Sequence, residues 1–425
     1  MDASSYITLV SDFQERYVRA CEDRDHCVLL SVLTALRDAS ESDKRLKALN
    51  FSGNSREMRN RRLDDEYVLT LLIPLSGAVF LEDIELSYNE ITCKGAEEIA
   101  AFLKDDKYLK RLSLKCNSIE EKGGVALAVA IQMNETLKAL DLSLNSIGDK
   151  AGVQFASSLQ INTNLQVLNL STCRLGASSI LALSTVLQTN DSLLSLDISN
   201  NKINASLESD VCYHLSKMIR RNTSLGYINL SKLSISDWAT VNHLSNAIKE
   251  NMRIRVLDLS CNRITRDGCI SLSMNLSTVQ KTLTFLSLSC CAIQDEGAEA
   301  IGLCLTRNTA LTTLYVDYNK ITGIGLRAIA RALHSNQTLV RLALWGNAFS
   351  ELIGGPIRSV ETDNSKVKLV VDAKGGVHQW DSNVAQMQQQ KGMTRLYRDE
   401  VDFAFYSVDG TLSAAKNSVF GRKTE

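Results

Sequence analysis

Proline is nearly missing from this chain. Pro74 and Pro356 are the only two in 425 residues, so long proline-rich linkers are excluded. Charge of one sign is also missing: 47 Lys and Arg stand against 48 Asp and Glu, for a formal charge of −1. No broad positive field draws the chain to nucleic acid or anionic lipid, and neither is expected as a partner. No apolar run approaches the ~18 residues of a membrane-spanning helix. The opening "MDASSYITLVSDFQERYV" lacks the basic flank and apolar stretch of a secretory signal. The 11 cysteines are odd in number and form no C-x-x-C pair, which predicts reduced thiols in a cytoplasmic protein rather than a disulfide framework. Neither G-x-x-x-x-G-K-[ST], H-E-x-x-H nor G-x-S-x-G occurs, and His26, His214, His243, His334 and His378 are dispersed. The expectation is a protein that is not an enzyme and uses no cofactor or metal.

What the chain does have is apolar residues, 44% of the total, in an unusual order. In "LKALDLSLNSI", from Leu137 to Ile147, the apolar spacing fits neither the two-residue period of a strand nor the three-to-four of a helix. The same string recurs as "LEDIELSYNEI" at Leu81, "LKRLSLKCNSI" at Leu109, "LQVLNLSTCRL" at Leu165 and "LLSLDISNNKI" at Leu193. It continues with "LGYINLSKLSI" at Leu225, "IRVLDLSCNRI" at Ile254, "LTFLSLSCCAI" at Leu283, "LTTLYVDYNKI" at Leu311 and "LVRLALWGNAF" at Leu339. A degenerate "LKALNFSGN" starts at Leu46, making about 11 units. Asn89, Asn117, Asn145, Cys173 and Asn201 are spaced by 28 residues.

Each unit reads as a short strand whose leucines point inward, followed by an inward Asn that must satisfy backbone groups of neighbouring turns. Cys173 and Cys291 fill that slot with a weak donor, whereas Leu233 has none. A helix follows, because Ile99, Leu127, Phe155 and Leu183, and Leu103, Ile131, Leu159 and Leu187 four residues on, form one apolar face. Ala100, Ala128, Ala156, Ser184, Gly302 and Ala330 are a small-residue column where helices approach. Asn134, Asn162, Asn190, Asn222, Asn251, Asn308 and Asn336 precede the strands, a place where left-handed helix ends favour Asn. Four of these Asn residues, Asn134, Asn190, Asn222 and Asn336, also fit N-x-[ST], and the structural reading takes precedence over glycosylation.

The pattern L-x-x-L-x-L-x-x-[NC]-x-[LI] resembles the leucine-rich repeats, over residues 46–350, and its 28–29-residue period resembles the ribonuclease-inhibitor-like class. The resemblance implies an α/β solenoid with an inner parallel sheet and outer helices. Strands stack about 4.8 Å apart and helices about 8–10 Å, so such an array curves into a horseshoe. Residues 1–45 are expected to form an N-terminal helical cap, since Tyr6, Val10, Phe13, Tyr17 and Cys21 share a helical face and a solenoid needs closed ends. Residues 351–425 are expected to be a C-terminal cap and tail, with "KVKLVV" a final strand and "DFAFYSVDGTL" a strand and turn. Arg56, Arg59, Arg61 and Arg62 read as a solvated loop.

The resemblance also implies a protein-interaction scaffold binding one or more proteins of a larger assembly. Its architecture is similar to stand-alone repeat proteins of cilia and flagella, such as radial-spoke components of the axoneme. Ran-type GTPase activators share about 11 such repeats, but they carry an acidic C-terminal segment where this chain reads "SVFGRKTE". Ribonuclease inhibitors present an acidic concave face, which an outward column of Glu85, Ser113, Asp141, Asn169, Asp197, Asn229, Asp258 and Ser287 matches weakly. The predicted partner-binding residues are Phe285, Tyr315, Asp317, Tyr318, Arg341 and Trp345, exposed aromatics beside charges on the last strands, the composition of interface anchors.

Overall fold

The computed structural model describes residues 3–41, 45–56, 58, 62–277, 280–348, 368–370, 405–406 and 412–413. Two compact units divide the chain at Asp372 and Ala373. The first holds a sheet of three-residue strands in strict chain order: β1 Ala48–Asn50, β2 Asp83–Glu85, β3 Arg111–Ser113, β4 Ala139–Asp141, β5 Val167–Asn169 and β6 Ser195–Asp197. It continues with β7 Tyr227–Asn229, β8 Val256–Asp258, β9 Phe285–Ser287, β10 Thr313–Tyr315, β11 Arg341–Ala343 and β12 Lys368–Val370. Strands β1 to β11 lie in the eleven sequence repeats, and β12 falls in "KVKLVV". Every pair is parallel, with the central residue of one strand opposite that of the next, as Leu140 is opposite Leu168. The second unit contains β13 Phe405–Tyr406 paired antiparallel with β14 Leu412–Ser413. β13 lies within the stretch whose alternation predicts a strand and turn, and β14 starts at its last residue, Leu412.

The central strand leucines and the helix columns form one core: Leu112, Leu140, Leu168, Leu196 and Leu257 are buried with Leu127, Phe155 and Leu183. Each helix is seated on the next through its small-residue positions, with Ala100, Ala128 and Ala156 all buried. α1 (Ala3–Asp23) buries Tyr6, Val10, Phe13, Tyr17 and Cys21, the face expected from their spacing. Phe13 and Tyr6 meet Phe80 edge-on, and Tyr17 Oη lies 3.0 Å from Tyr67 Oη on the helix Asp65–Leu75. Tyr67 in turn donates to the Cys27 carbonyl at 2.8 Å, so the phenols bind the N-terminal helices to the first repeat.

The Asn slot works through both ends of its amide. Asn145 Nδ2 donates to the Leu114 and Leu142 carbonyls at 2.9 Å, and its Oδ1 accepts from Ile119 N–H at 3.1 Å. One side chain therefore serves two repeats. Cys173 keeps half of this, its thiol donating to Leu142 O at 3.1 Å. Leu233 keeps none, yet its own N–H is held at 3.0 Å by Asn262 of the following repeat.

The Asn residues before the strands differ from expectation. Asn134, Asn222, Asn251 and Asn336 are extended, with φ between −66° and −78°, and not left-handed. Their value is again the amide: Asn134 Oδ1 accepts from Leu137 N–H at 2.7 Å while Nδ2 reaches Leu103 O of the preceding repeat at 2.7 Å. Gln280 does the same at a position where the column lacks Asn. Left-handed residues stand elsewhere, most regularly in a column directly before the Asn slot: Tyr88, Cys116, Leu144, Thr172, Asn200, Lys232, Cys261, Cys290 and Tyr318 all have φ between 53° and 63°, and Arg174, Ser234, Ala292 and Lys320 directly after the slot are left-handed too. An L-residue held there carries a cost of about 1–2 kcal/mol. The inter-repeat ladder fixes it, each N–H bonding a carbonyl of the next repeat, as Leu144 N–H does Ser171 O at 3.0 Å.

Helix starts are capped across repeats. Asp65 Oδ1 accepts Thr92 N–H and Gly95 N–H at 2.8 and 3.0 Å, and Asp295 does the same for Thr322 and Gly325. Such a cap satisfies N–H groups that the helix itself leaves open and places negative charge at its positive end. A Cβ at position 95 would collide with the Asp65 carboxylate, so glycine is required there by the neighbouring repeat.

Candidate protein interface

The six predicted partner-binding residues form one connected cluster across β9, β10, β11 and the turns that follow. Register brings Phe285, Thr313 and Arg341 side by side. The Phe285 and Tyr315 rings meet edge-to-face with centroids 5.1 Å apart, and the Arg341 guanidinium lies 5.4 Å from the Tyr315 centroid. Trp345 Nε1 donates to Tyr318 Oη at 2.6 Å. Asp317 joins the two turns: its Oδ1 accepts Trp345 N–H at 2.6 Å and its Oδ2 accepts Ser289 Oγ–H at 3.3 Å. Gly346 has φ of 69°, and a Cβ there would overlap the Tyr318 ring. The ring is thus seated against backbone.

Exposure is where this cluster departs from expectation. Phe285, Tyr318, Arg341 and Trp345 are half-buried, and Tyr315 and Asp317 are buried. The side chains spend part of their area on one another, as edge-to-face rings and cation–π pairs do. What faces outward is a surface of ring edges and a guanidinium packed on one another. Asp317 is no free anion: burial pushes its carboxyl up to about 7, against the lowering effect of the Trp345 and Ser289 bonds.

The middle of the same face is organised differently. Asp141 Oδ1 accepts Ser143 N–H at 2.8 Å, Asn169 accepts Ser171 N–H at 3.0 Å, and Asp197 accepts Ser199 N–H at 2.9 Å. Asn229 and Asp258 repeat the contact with Ser231 and Ser260. These side chains close Asx turns that end the strands. Burial raises the Asp141 carboxyl to about 7 and that of Asp197 to about 6.

A second departure was not visible in the repeat pattern. The helical stretch after β7 is broken into Asp237–Ala239, a π turn Thr240–Leu244 and Ser245–Glu250. Trp238 and Tyr213 stand exposed there and pack edge-on against His243, with Lys217 over the Tyr213 ring. The longer spacing from Asn201 to Leu233 belongs to the repeat before it, with helix Glu208–Arg221; the repeat with the π turn is marked in the sequence by Leu233 in the Asn slot. Arg56 and Arg62 are described, Arg62 lying 4.0 Å from Glu90, whereas Arg59, Arg61 and the tail aromatics Trp380, Tyr397, Phe403 and Phe420 lie outside the described residues. Among the described residues no helix is long and apolar enough to cross a membrane.

No curated protein matches the sequence. Solved structures that match include an internalin from Listeria monocytogenes, at 19% identity and a TM-score of 0.43, covering 72% of this chain and 77% of that one. Another is the actin-binding site 2 of leiomodin-1, at 21% identity and a TM-score of 0.29, covering 37% of this chain and 87% of that one. A family model described as Leucine Rich repeat matches residues 79–100, 106–128, 134–156, 162–184, 250–273, 279–302 and 307–330, and none of its segments falls on the repeat with the π turn. With the parallel sheet and the Asn ladder, the seven matches to that family model establish that the chain carries leucine-rich repeats.

Proposed function

We propose that this protein is a non-enzymatic scaffold whose protein partner docks on the last strands of the sheet, at Phe285, Tyr315, Asp317, Tyr318, Arg341 and Trp345. The observation that carries this reading is the cluster of aromatic rings and a guanidinium, in which Tyr315, Asp317 and Trp345 stand where the preceding repeats use Asp or Asn and Ser to close their own turns. Trp, Tyr and Arg dominate binding hot spots, and anchors that are already ordered lose less entropy on association.

The proposed setting is a larger cytoplasmic assembly, with a ciliary or flagellar axonemal complex such as a radial spoke as its specific form. The similarity in architecture to stand-alone axonemal repeat proteins supports it. A ribonuclease inhibitor draws less support, because Asp141, Asp197 and Asp258 are committed to backbone N–H groups. A Ran-type GTPase activator remains the other alternative, which a GTP-hydrolysis assay with Ran would separate. Residues 1–45 are proposed as an N-terminal helical cap, and residues 351–425 as a C-terminal cap and tail. The test is affinity capture with the full chain from ciliated and non-ciliated cell extracts, followed by mass spectrometry. Axonemal proteins retained by the wild-type chain and lost with Trp345→Ala are the expected result. Capture that is indifferent to Trp345→Ala and Tyr315→Ala overturns the site, and capture without axonemal proteins overturns the setting.

A further inference from the structure

Eleven cysteines are scattered through the sequence, and the fold sorts them. Cys21, Cys173, Cys212, Cys269, Cys291 and Cys304 are buried, while Cys27 and Cys290 are exposed and Cys93, Cys116 and Cys261 are intermediate. Cys290 and Cys291, adjacent in sequence, face opposite ways. Of the accessible cysteines, Cys261 and Cys290 occupy the same position in consecutive repeats, the left-handed residue before the Asn slot, with φ of 57° and 59°. The β8–β9 register pairs Val256 with Phe285, Leu257 with Leu286 and Asp258 with Ser287. Carried three residues on, it sets Cys261 opposite Cys290. The ladder is unbroken there: Cys261 N–H bonds Ser289 O, and Cys290 N–H bonds Asp317 O, both at 2.8 Å. Neighbouring strands lie about 4.8 Å apart, inside the ~4.4–6.8 Å Cα separation that a disulfide spans. The same backbone conformation on both residues sends the two Cβ atoms the same way.

The surroundings distinguish the two thiols. Lys232 is the left-handed residue of the preceding repeat, so the column reads Lys232, Cys261, Cys290. Cys261 is held below the usual thiol value, chiefly by the Cys290 thiol, with Lys232 and Ser260 acting in the same direction and burial and Asp258 opposing. Cys290 is shifted the other way, chiefly by Cys261. A thiolate is the reactive form of cysteine, favoured beside a cation and a hydrogen-bond donor.

We propose that Cys261 and Cys290 form a dithiol modification site on the accessible turn face of the array, with Cys261 attacking a hydroperoxide and Cys290 resolving the product to an intramolecular disulfide. In the first step the Cys261 thiolate attacks one oxygen of the hydroperoxide and the O–O bond breaks. The sulfur is oxidised to a sulfenic acid, and the other oxygen leaves as alkoxide or hydroxide and takes up a proton. In the second step the Cys290 thiolate attacks the Cys261 sulfur, the S–S bond forms, and hydroxide leaves and is protonated to water. The dithiol loses two electrons and the hydroperoxide gains them. The site stands independently of the partner-binding reading.

The test uses the folded full-length chain treated with hydrogen peroxide, alkylated and digested without reduction. The expected product is a cross-link joining Cys261 to Cys290, lower in mass by two hydrogens, with fragmentation assigning the bond to Cys290 rather than Cys291. Cys290→Ser should instead leave a sulfenic acid at Cys261 that dimedone traps, and Cys261→Ser should abolish both products. Cys116→Ser, in the same column between Tyr88 and Leu144, should change nothing. The wild-type chain alone decides the matter if a variant fails to fold. No cross-link, a bond to a different cysteine, a bond between two chains, or alkylation of Cys261 no faster than that of exposed Cys27 overturns the proposal.

Discussion

The middle of the sheet and its C-terminal end share a backbone and differ in how they use it. At Asp141, Asn169, Asp197, Asn229 and Asp258 the outward strand residue turns its oxygen back onto the chain's own N–H two residues later. At the same position in the next-to-last repeat stands Tyr315, packed between Phe285 and Arg341, and the residue that elsewhere is a turn serine becomes Asp317 and then Trp345. The first region invests its polar groups in holding the turn. The second releases the turn from the Asx contact, holds it through Asp317 instead, and presents rings. Outward direction along a repeat therefore does not mean availability, and a column of acidic residues does not make an acidic face when each carboxylate is already paired with backbone.

The comparison can be broken at several levels. The largest effect is expected from the framework common to both regions. Leu142→Ala removes a fully buried side chain and should cost about 2–5 kcal/mol in urea unfolding, weakening the repeats on both sides of it. An unchanged midpoint would mean that the inward assignment is wrong. Next comes the Asn ladder. Asn145→Ala leaves the buried Ile119 N–H without its acceptor and removes one of the donors to the Leu114 and Leu142 carbonyls, which keep Asn117 and Cys173, and should cost about 1–3 kcal/mol. Asn145→Cys should be milder, since Cys173 retains a thiol contact to the preceding repeat. Equal losses from the two substitutions would show that the slot needs the acceptor as much as the donor.

A further effect concerns the mid-sheet carboxylates and depends on pH. The Asp141 pKa is raised in the folded protein to about 7, chiefly by burial, from an ordinary value of 3.8. The folded chain therefore holds a proton that the unfolded chain has released. This contribution to stability is present below the ordinary pKa and is lost as pH rises toward about 7. Asp141→Asn keeps the Oδ1 acceptor, as Asn169 does for Ser171, and removes the titration. The substitution should stabilise the protein at about pH 8 relative to wild type, with the advantage shrinking at about pH 5. Denaturant midpoints at both pH values measure it, and an advantage that grows toward acid would contradict the burial argument.

The period of the array was legible in the sequence, because Leu and Asn at fixed spacing are demanded by burial and by backbone satisfaction at once. The helical faces were legible for the same reason, as was the buried face of α1. The left-handed column was not. Tyr88, Cys116, Leu144, Thr172, Asn200 and Lys232 share no chemistry, since the ladder imposes their conformation from neighbouring repeats. The cross-repeat caps at Asp65, Asp149, Asp237 and Asp295 escaped notice because each carboxylate serves a helix start 27 to 31 residues away. The six C-terminal residues could be picked out by composition. Their mutual packing could not, because it depends on the register of β9, β10 and β11 and on which ring lies over which.

The most direct test of the account is a binding titration of the protein captured by the wild-type chain against four forms: wild type, Trp345→Ala, Tyr315→Ala and Asp141→Ala. The account predicts that each aromatic substitution weakens binding by about 2 kcal/mol, roughly 30-fold in Kd, while Asp141→Ala leaves Kd unchanged. A partner that is insensitive to Trp345 and Tyr315, or that loses affinity with Asp141→Ala, would contradict the assignment of the interface to the C-terminal end of the sheet.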